Sequence, residues 1–217
     1  MVEPSARAEP VTQRGRETRG RIVAAAADLI YRRGESQVGI RDVKEAAGAS
    51  GSQMTHYFPD RDSLIEAVID YRAREVVEFL DQPEIAGLDT LAKLRRWAEL
   101  TIERQRRLGA EGGCVLGSLI PQLSERDEPS RRAIAAGLDA WTAGLEAGLA
   151  RMRKSGEIAR RADPHSLAVA LLGALQGGYA LAQATQEIER MEDSLFAAIE
   201  HVESFAYPKP RGKRRKR

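Results

Sequence analysis

A chain of 217 residues with 42% hydrophobic and 5% aromatic side chains can bury a sizeable, mostly aliphatic core, as one large domain or a small plus a medium one. Alanine, leucine, glutamate and arginine abound and β-branched runs are absent, which predicts an all-α fold of about nine helices. No apolar run of about 18 residues is uninterrupted, the start from Met1 to Arg21 has no apolar signal core, and Cys114 stands alone; these exclude a membrane span, a secretion signal and an internal disulfide, and fit a cytoplasmic protein.

The net charge of +2 conceals an asymmetry. Residues 208–217 carry seven positive charges and no negative one, while the rest of the chain holds 27 basic against 32 acidic side chains, a net of −5. The globular body is therefore mildly acidic, and 207–217 reads as a disordered basic tail that either holds nucleic acid non-specifically or aids solubility.

Residues 1–17, with Pro4 and Pro10 and no periodicity, read as a flexible arm. Thr18 is a candidate N-cap for a helix carrying Ile22, Ala25, Ala26, Leu29 and Ile30 on one stripe, and Gly34 ends it. The stretch 40–64 then reads as two short helices about a glycine turn. Ile40, Val43 and Ala47 share a face of the first, and Gly48 stops it because a left-handed residue costs glycine little. Ser50 and Gln53 have capping-box spacing for the second. Only Met54 and Phe58 form its apolar edge, which leaves Ser52, Gln53, Thr55, His56 and Tyr57 for other faces. Hydroxyls, an amide and an imidazole on one short helix suit the reading of a DNA groove, in a helix-turn-helix arrangement; a plain surface hairpin is the competing account. Gln53 is the first candidate for a base contact, since an amide pairs bidentately with adenine.

Asp60 can cap the next helix, whose stripe Leu64, Val68 and Tyr71 runs on toward Leu80. Pro83 and Gly87 break the chain there, so the expected organisation is a DNA-binding domain over 18–65 and a larger helical domain over 66–206. In the latter, Leu91, Leu94, Ala98 and Ile102 mark a helix with Trp97 on its flank. A short helix over 114–123 follows, expected to be kinked by Pro121 in its middle. Asp127 caps a long helix with Ile134, Leu138, Trp141, Leu145, Leu149 and Met152, ending at Gly156. Asp163 and Pro164 open the most apolar helix, about 164–184, and a last amphipathic helix carries Leu195 and Ile199.

The 164–184 helix has two notable stripes. Gly173, Gly177, Ala180 and Ala184 are small, and helix-interior glycines need a packing reason, which a symmetric partner supplies; with Leu195 and Ile199 they form the candidate dimer interface. Gln176, Tyr179 and Gln183, beside Leu172, suit a pocket wall with a few orienting groups, although the same amides can simply bond to neighbouring helices. The remaining candidate lining is Trp97, Cys114, Leu116, Ile120, Leu138, Trp141 and Leu145. No charged side chain falls on these stripes, so the expected effector is neutral or weakly ionised, and largely apolar. Catalysis is not expected, because His56, His165 and His201 are far apart and no metal-ligand spacing or paired acid and base appears. Nor is any cofactor expected.

On the residues Thr18-Arg19, Gly34, Asp42-Val43, Ala47-Gly48-Ala49-Ser50, His56-Tyr57-Phe58, Arg61 and Leu64, the chain resembles the TetR family of bacterial transcriptional repressors. Gly113-Cys114, Leu116-Gly117-Ser118-Leu119 and Leu175-Gln176-Gly177-Gly178 further resemble the branch answering to drugs or flavonoids. The resemblance implies a homodimer on palindromic double-stranded DNA, released by a small effector. It also implies that helix 51–57 enters the major groove, with Thr18, Arg19, Arg41 and Ser50 nearby and His56, Tyr57 and Arg61 on phosphates. Gly39 stands where the family often has a hydroxyl cap, and Thr55 where it often has tyrosine. The rival functions are a non-specific nucleic-acid binder using the tail and a redox-sensing regulator acting through Cys114.

Overall fold

The computed structural model describes residues 12–206, so the arm up to residue 11 and the basic tail 207–217 lie outside it. Among the described residues the chain forms nine α-helices and no strand, the all-α architecture that the composition predicts. A single antiparallel bridge joins Ile158 to Ala206.

Helix α1 spans Gln13–Arg33, six residues longer at its start than a cap at Thr18 would make it, so residues 13–17 of the expected flexible arm are helical. Thr12, not Thr18, caps it, accepting from the Gly15 amide at 3.1 Å. Thr18 is instead buried inside the helix and returns its hydroxyl to the Arg14 carbonyl at 2.9 Å. Either threonine can serve as an N-cap, and the sequence does not rank the two because capping needs only a hydroxyl ahead of the free amides of a first turn.

Helix α2 spans Ile40–Ala47 and α3 spans Gly51–Tyr57. Between them Gly48 adopts φ 58°, the left-handed turn that favours glycine. Gly39 offers no side chain to cap α2, yet Asp42 reaches back to accept from the Gly39 amide at 2.8 Å. Ile22, Ala26, Val43, Met54, Phe58, Leu64 and Val68 are all buried and make the core beneath these helices.

Helix α4 spans Arg61–Glu78 and α5 spans Leu91–Arg107. Asp60 starts α4 by accepting from the Ser63 amide at 2.8 Å, and Thr90 starts α5. The segment after Cys114 is a 3₁₀ turn at Gly117–Leu119 that runs into a one-turn helix α6, Ile120–Leu123. Pro121 therefore stands in the first turn of α6, where no intrahelical N–H is required, and does not kink a longer helix.

Helix α7 spans Glu128–Ser155, α8 Pro164–Thr185 and α9 Glu189–Glu203. The aspartate caps are as expected: Asp127 accepts from the Ser130 amide at 2.7 Å and Asp163 from the Ser166 amide at 3.4 Å. Helix α8, with 22 residues and a mean hydropathy of 1.4 in its most apolar window, is long and apolar enough by composition to cross a membrane. Its Leu167, Leu171, Leu175 and Ala182 are nonetheless buried within the protein, and Gly178 lets α9 approach, so that a Cβ there would stand 3.1 Å from the Met191 backbone.

The chain divides into two compact units. The first comprises residues up to Glu75 together with Val115–Leu138; the second comprises Val76–Cys114 and the chain from Asp139 onward. Two of the boundaries fall within α4 and α7, and the third between Cys114 and Val115. In the second unit α9 packs against both α5 and α8.

Helix α7 carries a glycine pattern of its own. A Cβ at Gly137 would stand 2.8 Å from the Ala73 Cβ, one at Gly144 2.7 Å from Leu80 Cδ1, and one at Gly148 2.7 Å from the Leu88 carbonyl. Leu88 itself has φ 43°, strained for a branched residue. Its turn is held by the Arg151 guanidinium donating to the Gly87 carbonyl and by Lys93 donating to the Ala86 carbonyl at 2.8 Å.

Two predictions arise here. Gly148→Ala should destabilise by about 1–3 kcal/mol through overpacking against the Leu88 backbone, although alanine is the better helix former. Gly20→Ala, with nothing within 4 Å of the added carbon, should instead stabilise by up to about 1 kcal/mol; urea unfolding of both variants checks the contrast. The caps make the second. Asp127 is held below the usual carboxylate range chiefly by the Ser130 backbone amide, and Asp163 chiefly by the Ser166 hydroxyl. Because both are depressed in the folded state, their contribution is present above the unfolded value of about 4 and is lost as the pH falls through the folded one. Hydrogen exchange at the first turns of α7 and α8 should accelerate below about pH 4.

Candidate functional site

Helix α3 is pinned along one edge by Met54 and Phe58, both nearly without solvent contact. Its other faces carry Ser52, Thr55 and His56 in the open, with Tyr57 and Gln53 half-buried. The His56 and Tyr57 rings meet edge to face at 4.8 Å. Arg19 from α1 lies over the Phe58 ring at 5.3 Å, and Arg21 donates to the Ala47 carbonyl at 2.9 Å, so α1 steadies the end of α2.

Three of the residues expected at DNA have polar groups engaged within the protein. The Gln53 amide oxygen accepts from the Ser50 backbone at 2.9 Å while the Ser50 hydroxyl accepts from the Gln53 backbone at 3.1 Å. Bidentate pairing with adenine draws on that same oxygen and therefore competes with the cap of α3. Arg61 is also committed within the protein: its guanidinium donates to the Val38 carbonyl at 2.5 Å, the Glu35 carbonyl at 2.6 Å and the Glu35 carboxylate at 2.8 Å. Thr18, being buried, presents no free hydroxyl either. Ser50 shares its hydroxyl with Ser52 at 2.9 Å, Thr55 returns its hydroxyl to the Gly51 carbonyl, and Arg41 is highly exposed beside Glu45.

The Glu35 cluster has no signature in the sequence. Glu35 is buried in the turn after α1 and also accepts from Arg126 at 2.7 Å, whose other nitrogen donates to Asp62 at 2.5 Å. The Glu35 amide donates to the Gln122 side chain at 2.6 Å. Residues separated by up to 91 positions thus meet on one carboxylate.

The candidate effector residues are shared between the two units. Leu116, Ile120 and Leu138 belong to the first; Trp97, Cys114, Trp141, Leu145, Leu172, Gln176, Tyr179 and Gln183 belong to the second. Within the second unit, Gln176 lies 3.3 Å from the Cys114 sulfur, and a Cβ at Gly113 would stand 3.4 Å from the Gln183 amide oxygen and 3.8 Å from the Tyr179 Cβ. The polar stripe of α8 therefore faces the Gly113-Cys114 turn. Cys114 is buried, as are Trp97 and Trp141. Of the expected dimer residues, Gly173, Gly177, Ala180 and Ala184 are exposed, but Leu195 and Ile199 have no solvent contact and hold α9 to its own protomer. Alternation along α9 cannot tell an inward stripe from an outward one when both neighbours are helices. Among the described residues no group of His, Cys, Asp or Glu side chains is arranged to hold a metal.

A helix-turn-helix unit with an exposed polar second helix, joined to a larger helical unit, defines a DNA-binding transcriptional regulator. Residues 22–68 match the family described as bacterial regulatory proteins, tetR family, and residues 90–198 match the Tetracyclin repressor-like C-terminal domain. The chain belongs to the TetR family of transcriptional regulators, which are not enzymes. It is 29% identical over 154 residues to the transcriptional regulator AcuR of Cereibacter sphaeroides, covering 69% of this chain and 68% of that one. It is 28% identical over 182 residues to the HTH-type transcriptional regulator Rv0196 of Mycobacterium tuberculosis, covering 80% and 88%. In fold it is similar to a regulatory protein TetR from Rhodobacter sphaeroides, with a TM-score of 0.75, 23% identity and coverage of 85% and 98%. It is similar likewise to the reduced form of Escherichia coli NemR, with a TM-score of 0.76, 19% identity and coverage of 89% and 100%.

The revised contacts change what substitutions should do. Gln53→Ala removes half of a capping box, so it should weaken binding to all operators alike by about 1 kcal/mol, or roughly fivefold, and leave base preference unchanged; binding-site selection with the variant checks this. Glu35→Ala should take the shared carboxylate from Arg61 and Arg126, leaving them the Val38 carbonyl and Asp62, and lower stability by about 1–3 kcal/mol in urea unfolding.

Proposed function

We propose that this protein is a homodimeric repressor that holds a palindromic operator in the cytoplasm and releases it when a small, largely apolar molecule occupies the C-terminal unit. The observation that carries the DNA-reading half is α3 itself, anchored by Met54 and Phe58 and presenting Ser52, Thr55 and His56 to solvent. With Gln53 and Arg61 engaged internally, these three side chains take over base and phosphate contact, with Tyr57 and Arg41 at the margin.

The dimeric half rests on α8. Among the described residues, nothing outside the helix's own backbone lies within 4 Å of a Cβ built at Gly173 or Gly177, so neither glycine has a packing return there. Each costs on the order of 1 kcal/mol against alanine. On the same helix Val169 and Leu181 are half exposed, at 50% and 51%. Glycines without an internal neighbour, bordered by exposed aliphatic side chains, suit the close approach of a second α8.

The test is direct. DNA selected by the purified protein should be an inverted repeat, bound two chains per site, and His56→Ala or Ser52→Ala should relax preference at fixed positions in each half-site. Selection of unrelated sequences with a steep salt dependence would instead favour the non-specific binder. Gly177→Leu should lower dimerisation, read by sedimentation, together with operator affinity; a fully dimeric variant with unchanged affinity would remove α8 from the interface.

A further inference from the structure

The second unit has unmet hydrogen-bond donors in its interior. Trp97 on α5 and Trp141 on α7 are 0% and 4% exposed, and neither indole N–H has a partner among the described residues. An indole nitrogen can only donate, and a buried donor without an acceptor works against folding. The other buried polar side chains of this unit are satisfied: Thr101 donates to the Trp97 carbonyl at 2.7 Å, and Gln105 to the Glu111 carbonyl at 2.9 Å. Gln176 adds a third donor, whose one partner, the Cys114 sulfur at 3.3 Å, is a weak acceptor.

Charge is absent from this interior. The buried charged residues, Glu35 and Arg72, both belong to the first unit, and the buried polar residues of the second, Thr101 and Gln105, are neutral. An entering carboxylate or ammonium would meet no opposite charge and would lose its hydration.

We propose that the interior of the second unit binds a neutral, largely apolar molecule bearing carbonyl-type oxygens, to which the Trp97 and Trp141 indole N–H groups donate. This deepens the ligand-release reading and rests on it. The donors select the oxygen: a ketone carbonyl pairs with an indole N–H, whereas a hydrocarbon of the same shape leaves it unmet. Water bridging to the indoles in the free protein does not reverse this preference, because a carbonyl replaces the hydrogen bond that the water gave up and a hydrocarbon does not.

Matched pairs test the idea on the full-length protein: acetophenone against ethylbenzene, benzophenone against diphenylmethane, and fluorenone against fluorene. Calorimetry measures affinity, and fluorescence from the chain's two tryptophans reports on their surroundings. At least one ketone should bind about tenfold or more tightly than its hydrocarbon. Trp97→Phe or Trp141→Phe should shrink that ratio toward unity. Since phenylalanine is also smaller, replacing each indole by its benzothiophene isostere, which lacks only the N–H, isolates the donor. Parity between ketone and hydrocarbon overturns the proposal. So does a ratio that survives replacement of both indoles, or the failure of every ketone to bind. A benzoylbenzoate that binds more tightly than benzophenone overturns its neutral character. Ketone binding that leaves operator DNA bound would overturn the release reading alone, whereas release by hydrocarbons but not ketones would overturn this assignment alone.

Discussion

A carboxylate taken almost out of water has to be paired, and in the first unit that constraint falls on Glu35. It sits in the turn between α1 and α2 and accepts from Arg61 at the start of α4 and from Arg126 ahead of α7, while its amide is taken by Gln122 of α6. Three segments thereby meet on one charge, and a fourth is tied to the backbone of the same residue. Arg61 also binds the Val38 carbonyl, immediately before the glycine that opens α2. The position of α2, and of α3 one turn later, follows from where these guanidinium groups must lie. Removing both arginines would leave the Glu35 carboxylate buried and charged, which is why such clusters are costly to break even where their net worth is small.

The economy of α3 follows the same logic of satisfied groups. A seven-residue helix has little cooperative stability of its own, so its first turn uses Ser50 and Gln53 on each other and its apolar edge is buried through Met54 and Phe58. What remains for DNA is what the helix does not need for itself. The second unit departs from that economy at particular places: two buried indoles without acceptors, Leu88 at a strained φ of 43°, and aliphatic side chains of α8 in the open. Departures from local consistency of this kind concentrate where a protein meets something else.

Glycine on two neighbouring helices has opposite meanings here. On α7, Gly137, Gly144 and Gly148 admit the Ala73, Leu80 and Leu88 backbones or side chains to within what would be overlap distance of a Cβ. On α8, Gly173 and Gly177 admit nothing from the other described residues. Both sets recur at helical spacing and read alike as a string of letters; the neighbours alone distinguish an internal seam from an outward face.

The amino-acid sequence by itself determined the all-α class, the glycine turn at Gly48, the Ser50–Gln53 capping box, the aspartate caps of α7 and α8 and the Met54–Phe58 edge. All of these rest on interactions within about one helical turn, and the period and the capping chemistry are local. Tertiary structure decided which polar groups remain available. It set Arg61 to internal work, buried Leu195 and Ile199 against other helices, and drew Val115–Leu138 into the unit that holds the helix-turn-helix. Each of those outcomes depends on a partner tens of residues away, and a side chain's hydrogen-bonding capacity is fixed by its type while its availability is fixed by whatever folds against it.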